Sequence, residues 1–219
     1  KLALAAISLP SFPAHAALPG NATASGAGYT KDSVPVAPWK CGGPSTAVVY
    51  KPSDTSGGPY PLISFAHGFT AGGTRVDPDY GPKLLGPLAA AGYVVVATED
   101  APKKYCEWET ADQISSLGLD LRDVDRSRPT GIAGHSMGGH ATELSSSNSR
   151  AVSKYNIATA VALHPVSFPF FQPKIPVFFG TGSADVIVPP SGPVLAYEAT
   201  KKSGKVLAEI KGATHFEPN

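Results

Sequence analysis

The clearest chemical signal is the segment Gly134-His135-Ser136-Met137-Gly138, followed by Gly139. It fits G-x-S-x-G, with a short strand pattern at 130–133 before it and a helical pattern after it. On such a strand-to-helix turn the serine backbone is strained, which lifts the hydroxyl clear of the sheet. The flanking glycines are a steric need, because side chains there would collide with the neighbouring strand and helix. The following helix also turns its positive end toward developing negative charge. Ser136 is therefore read as a nucleophile, in preference to an incidental serine in a glycine-rich turn.

A serine hydroxyl is a weak nucleophile without a base. Six histidines could serve: His15, His67, His135, His140, His164 and His215. His15 lies in an N-terminal processing pattern. His135 is inside the turn, its ring expected to point away from the serine, and His140 is on the following helix. His164 ends an apolar run and is a competitor. His215, in Gly212-Ala213-Thr214-His215-Phe216 after the last strand pattern, is preferred. An acid should orient the base and stabilise its imidazolium. Asp185, in Gly182-Ser183-Ala184-Asp185-Val186, falls between serine and histidine and completes the chain order Ser, Asp, His. Asp100 precedes the serine and Glu209 lies within a strand pattern, so both are weaker acids. Two N–H groups should meet the oxyanion: that of Met137, and that of Phe69 in the loop His67-Gly68-Phe69-Thr70-Ala71-Gly72-Gly73. Phe69, Met137 and Val186-Ile187-Val188 would give apolar walls to an acyl pocket, with His67 and Gly68 beside them. No H-E-x-x-H occurs, and His135 and His140 are badly spaced for one helix face. No metal or cofactor is expected.

These residues need a scaffold. Short runs rich in Val, Ile, Leu, Phe and Ala at 47–50, 62–66, 93–98, 130–133, 158–163, 177–180 and 206–210 read as strands, several buried on both faces. Helical patterns lie near 81–91, 110–124, 137–147 and 191–202. The alternation predicts an α/β fold, a mainly parallel sheet with helices on both faces, in a single domain. Such sheets bind ligands at the carboxyl ends of their strands. The expected division is a partial signal peptide at 1–16, an N-terminal arm at 17–46 and the catalytic domain at 47–219.

Composition fits this reading. The chain has 219 residues, 42% hydrophobic and 16% charged, which suits one domain with a full core. A formal charge of +1 without a basic run argues against nucleic acid. No apolar run is long enough to span a membrane. Lys1, the apolar stretch 2–9 and Ala14-His15-Ala16 resemble an export signal with its cleavage site. Export would permit a disulfide between Cys41 and Cys106, worth roughly 2–4 kcal/mol, though two separate buried thiols fit the sequence as well. Asn21-Ala22-Thr23 is a glycosylation sequon, of use only in a eukaryotic host.

Several segments together resemble one group of α/β-hydrolases. They are Phe65-Ala66-His67-Gly68-Phe69-Thr70, the run Gly86 to Val96, the turn Gly134 to Gly139, the Asp185 loop with Val188-Pro189, and Thr214-His215-Phe216. The group comprises the bacterial polyesterase-lipase-cutinase enzymes, which include polyester hydrolases, and the chlorophyllase-like and dienelactone-hydrolase-like enzymes. The resemblance covers about residues 60–219. It implies the α/β-hydrolase fold and a Ser-Asp-His esterase without metal or cofactor, with Phe69 and Met137 as the oxyanion pair. Two departures matter. Polyester hydrolases carry a tryptophan after the strand that follows the serine helix, where this chain reads Leu163-His164-Pro165-Val166-Ser167. Aromatic polyester is accordingly expected to be a poor substrate, and His164 is left near the mouth of the site. Dienelactone hydrolases proper use cysteine where this chain has Ser136. The chain also stops four residues after His215, where relatives continue into a further helix, so the domain is expected to lack its C-terminal helix.

The leading expectation is a secreted, monomeric serine carboxylic ester hydrolase acting on short to medium acyl esters or polyester-like substrates. An amidase or peptidase on the same triad, and a non-catalytic binding protein on a hydrolase fold, are the alternatives.

Overall fold

Consecutive β-branched and apolar residues favour strands that are covered on both faces, and the computed structural model has this arrangement at its centre. It describes residues 28–36, 45–69, 76–99, 123–201 and 204–217. In chain order the elements are β1 (Tyr29–Val36), β2 (Ser45–Pro52), β3 (Leu62–Ala66), α1 (Val76–Tyr80), a π-helical turn (Gly81–Leu85), α2 (Gly86–Ala90), β4 (Val94–Thr98), β5 (Thr130–His135), α3 (Met137–Ser147), α4 (Ser149–Lys154), β6 (Ile157–Leu163), β7 (Val177–Gly182), α5 (Ser191–Ala199) and β8 (Lys205–Ile210).

Among the described residues, eight strands form one sheet in the order β1-β2-β4-β3-β5-β6-β7-β8. β1 and β2 run antiparallel at one edge, and the pairs from β4–β3 through β7–β8 are parallel. The expected mainly parallel sheet is therefore present. On one face Val76, Tyr80, Leu85 and Ala89 pack against Tyr50, Phe65, Val95 and Ala133. On the other, Ala151 and Ala196 join Ile132, Ala160, Ala162, Val177 and Phe179. Each large side chain so buried contributes about 1.5–3 kcal/mol.

Three details depart from the sequence reading. Residues 17–46 carry little periodic signal, yet Tyr29–Val36 is a strand paired with the whole of β2, from Tyr29↔Pro52 to Val36↔Ser45. It is an edge strand with Thr30 to Ser33 exposed, so it needs no apolar run. The sheet thus begins before the expected boundary at residue 47. The helical pattern at 81–91 starts earlier, at Val76, and is broken by a π turn in which Gly86 N–H reaches Gly81 O. Pro82 and Pro87 cannot donate, so the hydrogen-bond ladder must shift register around them. Helix α4 has an unrecognised start signal in Asn148, whose side chain accepts from Arg150 N–H and Ala151 N–H. The helix expected at 110–124 lies outside the described residues except for its last two positions. There Val124 bridges Tyr60.

Candidate active site

The turn between β5 and α3 is tight because two glycines let it be. A Cβ on Gly134 would lie 2.2 Å from Gly138 O, and one on Gly138 would lie 2.0 Å from Ala66 O. Between them Ser136 takes φ 57° and ψ −116°, a conformation that costs a non-glycine residue free energy and is found where geometry matters more than ease. Its backbone is pinned by Ser136 N–H to Leu163 O (2.9 Å), and its carbonyl accepts from His140 N–H (3.0 Å) and Val166 N–H (3.2 Å). Met137 opens helix α3 directly behind it.

The loop after β3 lies against this serine. A Cβ on Gly68 would be 3.3 Å from Ser136 Cβ. His67 is buried and its Nδ1–H donates to Gly68 O at 2.7 Å. Gly68 N–H is committed to the Tyr80 hydroxyl (3.1 Å), which leaves Phe69 N–H as the candidate donor of this segment. The Phe69 ring is 59% exposed.

Asp185 follows β7 and is buried. Its Oδ1 accepts from Ile187 N–H (2.9 Å) and Val188 N–H (2.8 Å), a local turn that any Asp could make. Its Oδ2 accepts from two imidazoles, His215 Nδ1–H at 2.7 Å and His164 Nδ1–H at 2.8 Å. Burial pushes the Asp185 carboxyl up, but hydrogen bonds from His215, Val188 N–H and His164 outweigh it and hold the group below its ordinary value. The loops bearing acid and base are stitched together: Ala184 N–H donates to Ala213 O (3.0 Å) and Gly212 N–H to Ser183 Oγ (2.8 Å).

His135 has a role that the sequence reading missed. Its Nε2–H donates to His215 O (2.8 Å), and its Nδ1 accepts from the Tyr80 hydroxyl (2.8 Å). A single relay thus links Gly68 beside the serine, Tyr80, His135 and the backbone of His215. Burial, chiefly, pulls the His135 pKa down to about 3, so it stays a neutral ring with one donor and one acceptor. The signal was its place beside Ser136, but its partners come from α1 and the last loop, which spacing cannot reveal.

Gly68 and His67 lie beside Ser136, Asp185 joins His215 and His164, and the His135 ring next to Ser136 stands 4.7 Å from the His215 ring and 5.9 Å from the His164 ring. Val186 and Ile187, expected in the acyl pocket, are 89% and 55% exposed, so they offer open surface and not an enclosed wall. His140 is held by Val166 O (2.8 Å) and packs against Phe168 and Phe171. Glu209 is exposed on β8. His15, Cys41, Asp100 and Cys106 lie outside the described residues. His164, Asp185 and His215 offer ligand atoms within 4.8 Å of one another, the geometry of a possible cation cluster, but both Nδ1 atoms are engaged by the same Oδ2.

Residues 13–219 match the family model described as "PETase: PET hydrolase-like". A bis(hydroxyethyl) terephthalate hydrolase of Streptomyces coelicolor is 29% identical over 189 residues, covering 78% of this chain. The chain spans 55% of that relative's length, about half. A crystal structure of a dienelactone hydrolase-type protein from Klebsiella pneumoniae superposes with a TM-score of 0.61 at 17% identity, covering 85% of this chain and 88% of the other. At that identity the likeness shows the fold, which is that of the α/β-hydrolases.

Proposed function

The chain belongs to the PET hydrolase-like family, and from that premise we propose that it is a serine carboxylic ester hydrolase with Ser136, His215 and Asp185 as its triad. The observation that carries the reading is the buried His215–Asp185 hydrogen bond of 2.7 Å, tied through the His135–His215 O bond to the strained strand-to-helix turn that holds Ser136. His215 Nδ1–H is spent on Asp185, so Nε2 carries a lone pair able to take a proton. Ser136 Oγ attacks the ester carbonyl carbon as its proton passes to His215 Nε2. Negative charge on the carbonyl oxygen meets the N–H of Met137 at the head of α3 and that of Phe69 in the loop after β3. The tetrahedral intermediate collapses, the C–O bond to the alcohol breaks, and the imidazolium protonates the departing alkoxide. Water, deprotonated by His215, then cleaves the acyl-serine and returns the enzyme.

Substrates in this reading are esters of short to medium acyl chains, and small alkyl diesters of an aromatic diacid, of the kind named for the Streptomyces relative. Exposed Phe69, Val186 and Ile187 favour apolar groups over charged ones, because a charge there would lose water without gaining a partner. Extended aromatic polyester stays a poor substrate in this reading, for want of the tryptophan after β6. Export, from the pattern at residues 1–16, and a Cys41–Cys106 disulfide belong to the same proposal.

A fluorophosphonate probe tests the core of it, since it reacts with activated serines. The wild-type protein should label and hydrolyse p-nitrophenyl butyrate. Ser136→Ala should do neither while melting normally, and His215→Ala should lose several orders of magnitude in kcat. A folded Ser136→Ala variant with near-normal turnover would falsify the assignment. Unlabelled wild-type protein would favour a binding role on the same fold.

A further inference from the structure

Asp185 has more partners than its proposed task requires. A carboxylate offers about four acceptor positions, and all four are filled: two by the backbone of Ile187 and Val188 on Oδ1, two by imidazoles on Oδ2. The carboxylate only accepts, so both Nδ1 atoms carry protons. His164 reaches this place at some cost. It sits just past β6, its N–H bonded to Gly180 O (2.7 Å), and its backbone lies in the left-handed region at φ 44°. Its ring is buried and meets the His215 ring edge to face, centroids 5.7 Å apart at 89°. A histidine needed only to fill space has no reason to adopt strained backbone and share a buried carboxylate.

We propose that His164 is a positioning residue of the active site, a second imidazole donor to Asp185 that fixes Oδ2 and the plane of the His215 ring. This rests on the reading of Ser136, His215 and Asp185 given above. With Oδ1 tethered to two backbone N–H groups, the carboxylate can still tilt about its Cβ–Cγ bond. The His164 donor closes that freedom from the side opposite β8, and the edge-to-face ring contact stops the base from rocking. The strained β6 end supplies through histidine an orientation that a triad of three residues leaves to the acid loop alone.

The test compares residues that tolerate positive φ, so that backbone strain does not obscure the result. His164→Gly removes the donor and keeps the backbone; His164→Asn keeps an N–H donor on a shorter side chain that accepts the left-handed region. With p-nitrophenyl butyrate, His164→Gly should lower kcat roughly 10- to 100-fold, the worth of one hydrogen bond to a charge, with KM nearly unchanged. His164→Asn should recover most of that loss. Proton NMR of the wild-type protein should show two low-field imidazole N–H resonances that assign to Nδ1 of His164 and Nδ1 of His215, apart from those of His67, His135 and His140, which donate to carbonyls. One should vanish in His164→Gly and the other in His215→Ala. Wild-type kcat in His164→Gly, or a wild-type spectrum from which His164→Gly removes no low-field resonance, overturns the proposal while the triad stands. Fluorophosphonate labelling that survives His215→Ala but not His164→Gly makes His164 the base, and overturns both readings.

Discussion

Asp185 and His215 were legible as types: an acid after one strand and a histidine after the last, in the right order behind the serine. That His164 would share the carboxylate was not, because the contact depends on one positive φ and on β6 and β7 lying side by side. Glu143 was hidden for a similar reason. It sits on α3, buried, with Oε1 accepting from the Ser167 hydroxyl and Oε2 without a partner among the described residues. Burial pushes its carboxyl up to about 8 against the ordinary 4.5, although the Ser167 bond pulls the other way. The sign for stability follows. Between about pH 4.5 and 8 the unfolded chain gives up this proton and the folded one keeps it. Stability therefore falls as pH rises through that window, by at most about 1.4 kcal/mol per pH unit. Glu143→Gln keeps an acceptor for Ser167 and has no proton to lose. Its melting temperature should match the wild type near pH 5 and exceed it progressively toward pH 8. Parallel pH profiles for the two proteins would mean that Glu143 is not held neutral.

At the scale of elements, strands with buried faces were readable because burial on both sides leaves a continuous apolar run, as in β4. Edge strand β1 left no such mark, since its pairing partner and not its composition makes it a strand. Helix α3 was readable from both its start and its length, and its docking is where the fold and the site meet. Gly138 lets the first turn of α3 approach the end of β3, with no room for a methyl group before Ala66 O. Backbone atoms cannot move aside as a flexible side chain can. Gly138→Ala should thus push α3 off the sheet, carry Met137 N–H and Ser136 with it, and cost about 3 kcal/mol or more. For a chain of this size that is a fall in melting temperature of roughly 10 °C, with esterase activity lost below the transition as well. Gly131→Ala is the matched comparison. Its methyl would stand 3.4 Å from Ile63 Cγ1, an ordinary contact, and should shift the transition by no more than a few degrees. Equal effects from the two changes would argue against close docking of α3 as their cause.

Across the whole molecule, the three proposed triad residues come from the carboxyl ends of β5, β7 and β8, and the oxyanion segment from that of β3. Parallel strands deliver their following loops to one rim, so a nucleophile, an acid and a base spread over 80 residues of chain meet there. The antiparallel edge has a different consequence. β2 enters the sheet at the end where β4 leaves it: Ala47 pairs with Thr98, and Glu99 N–H reaches Thr46 O at 2.8 Å. Cys41 stands six residues before Ala47 and Cys106 eight after Thr98. At roughly 3.3–3.6 Å per extended residue, both segments have ample reach to bring their sulfurs together, and a long closed loop is where a cross-link removes the most unfolded-state entropy. The prediction is therefore a Cys41–Cys106 disulfide contributing roughly 2–4 kcal/mol. Thiol titration of the native, non-reduced protein in denaturant should find no free sulfhydryl, and reduction should release two and lower the melting temperature by several degrees. Two thiols titrating before any reductant is added would show that the cysteines are separate, and that the sheet edge holds without a cross-link.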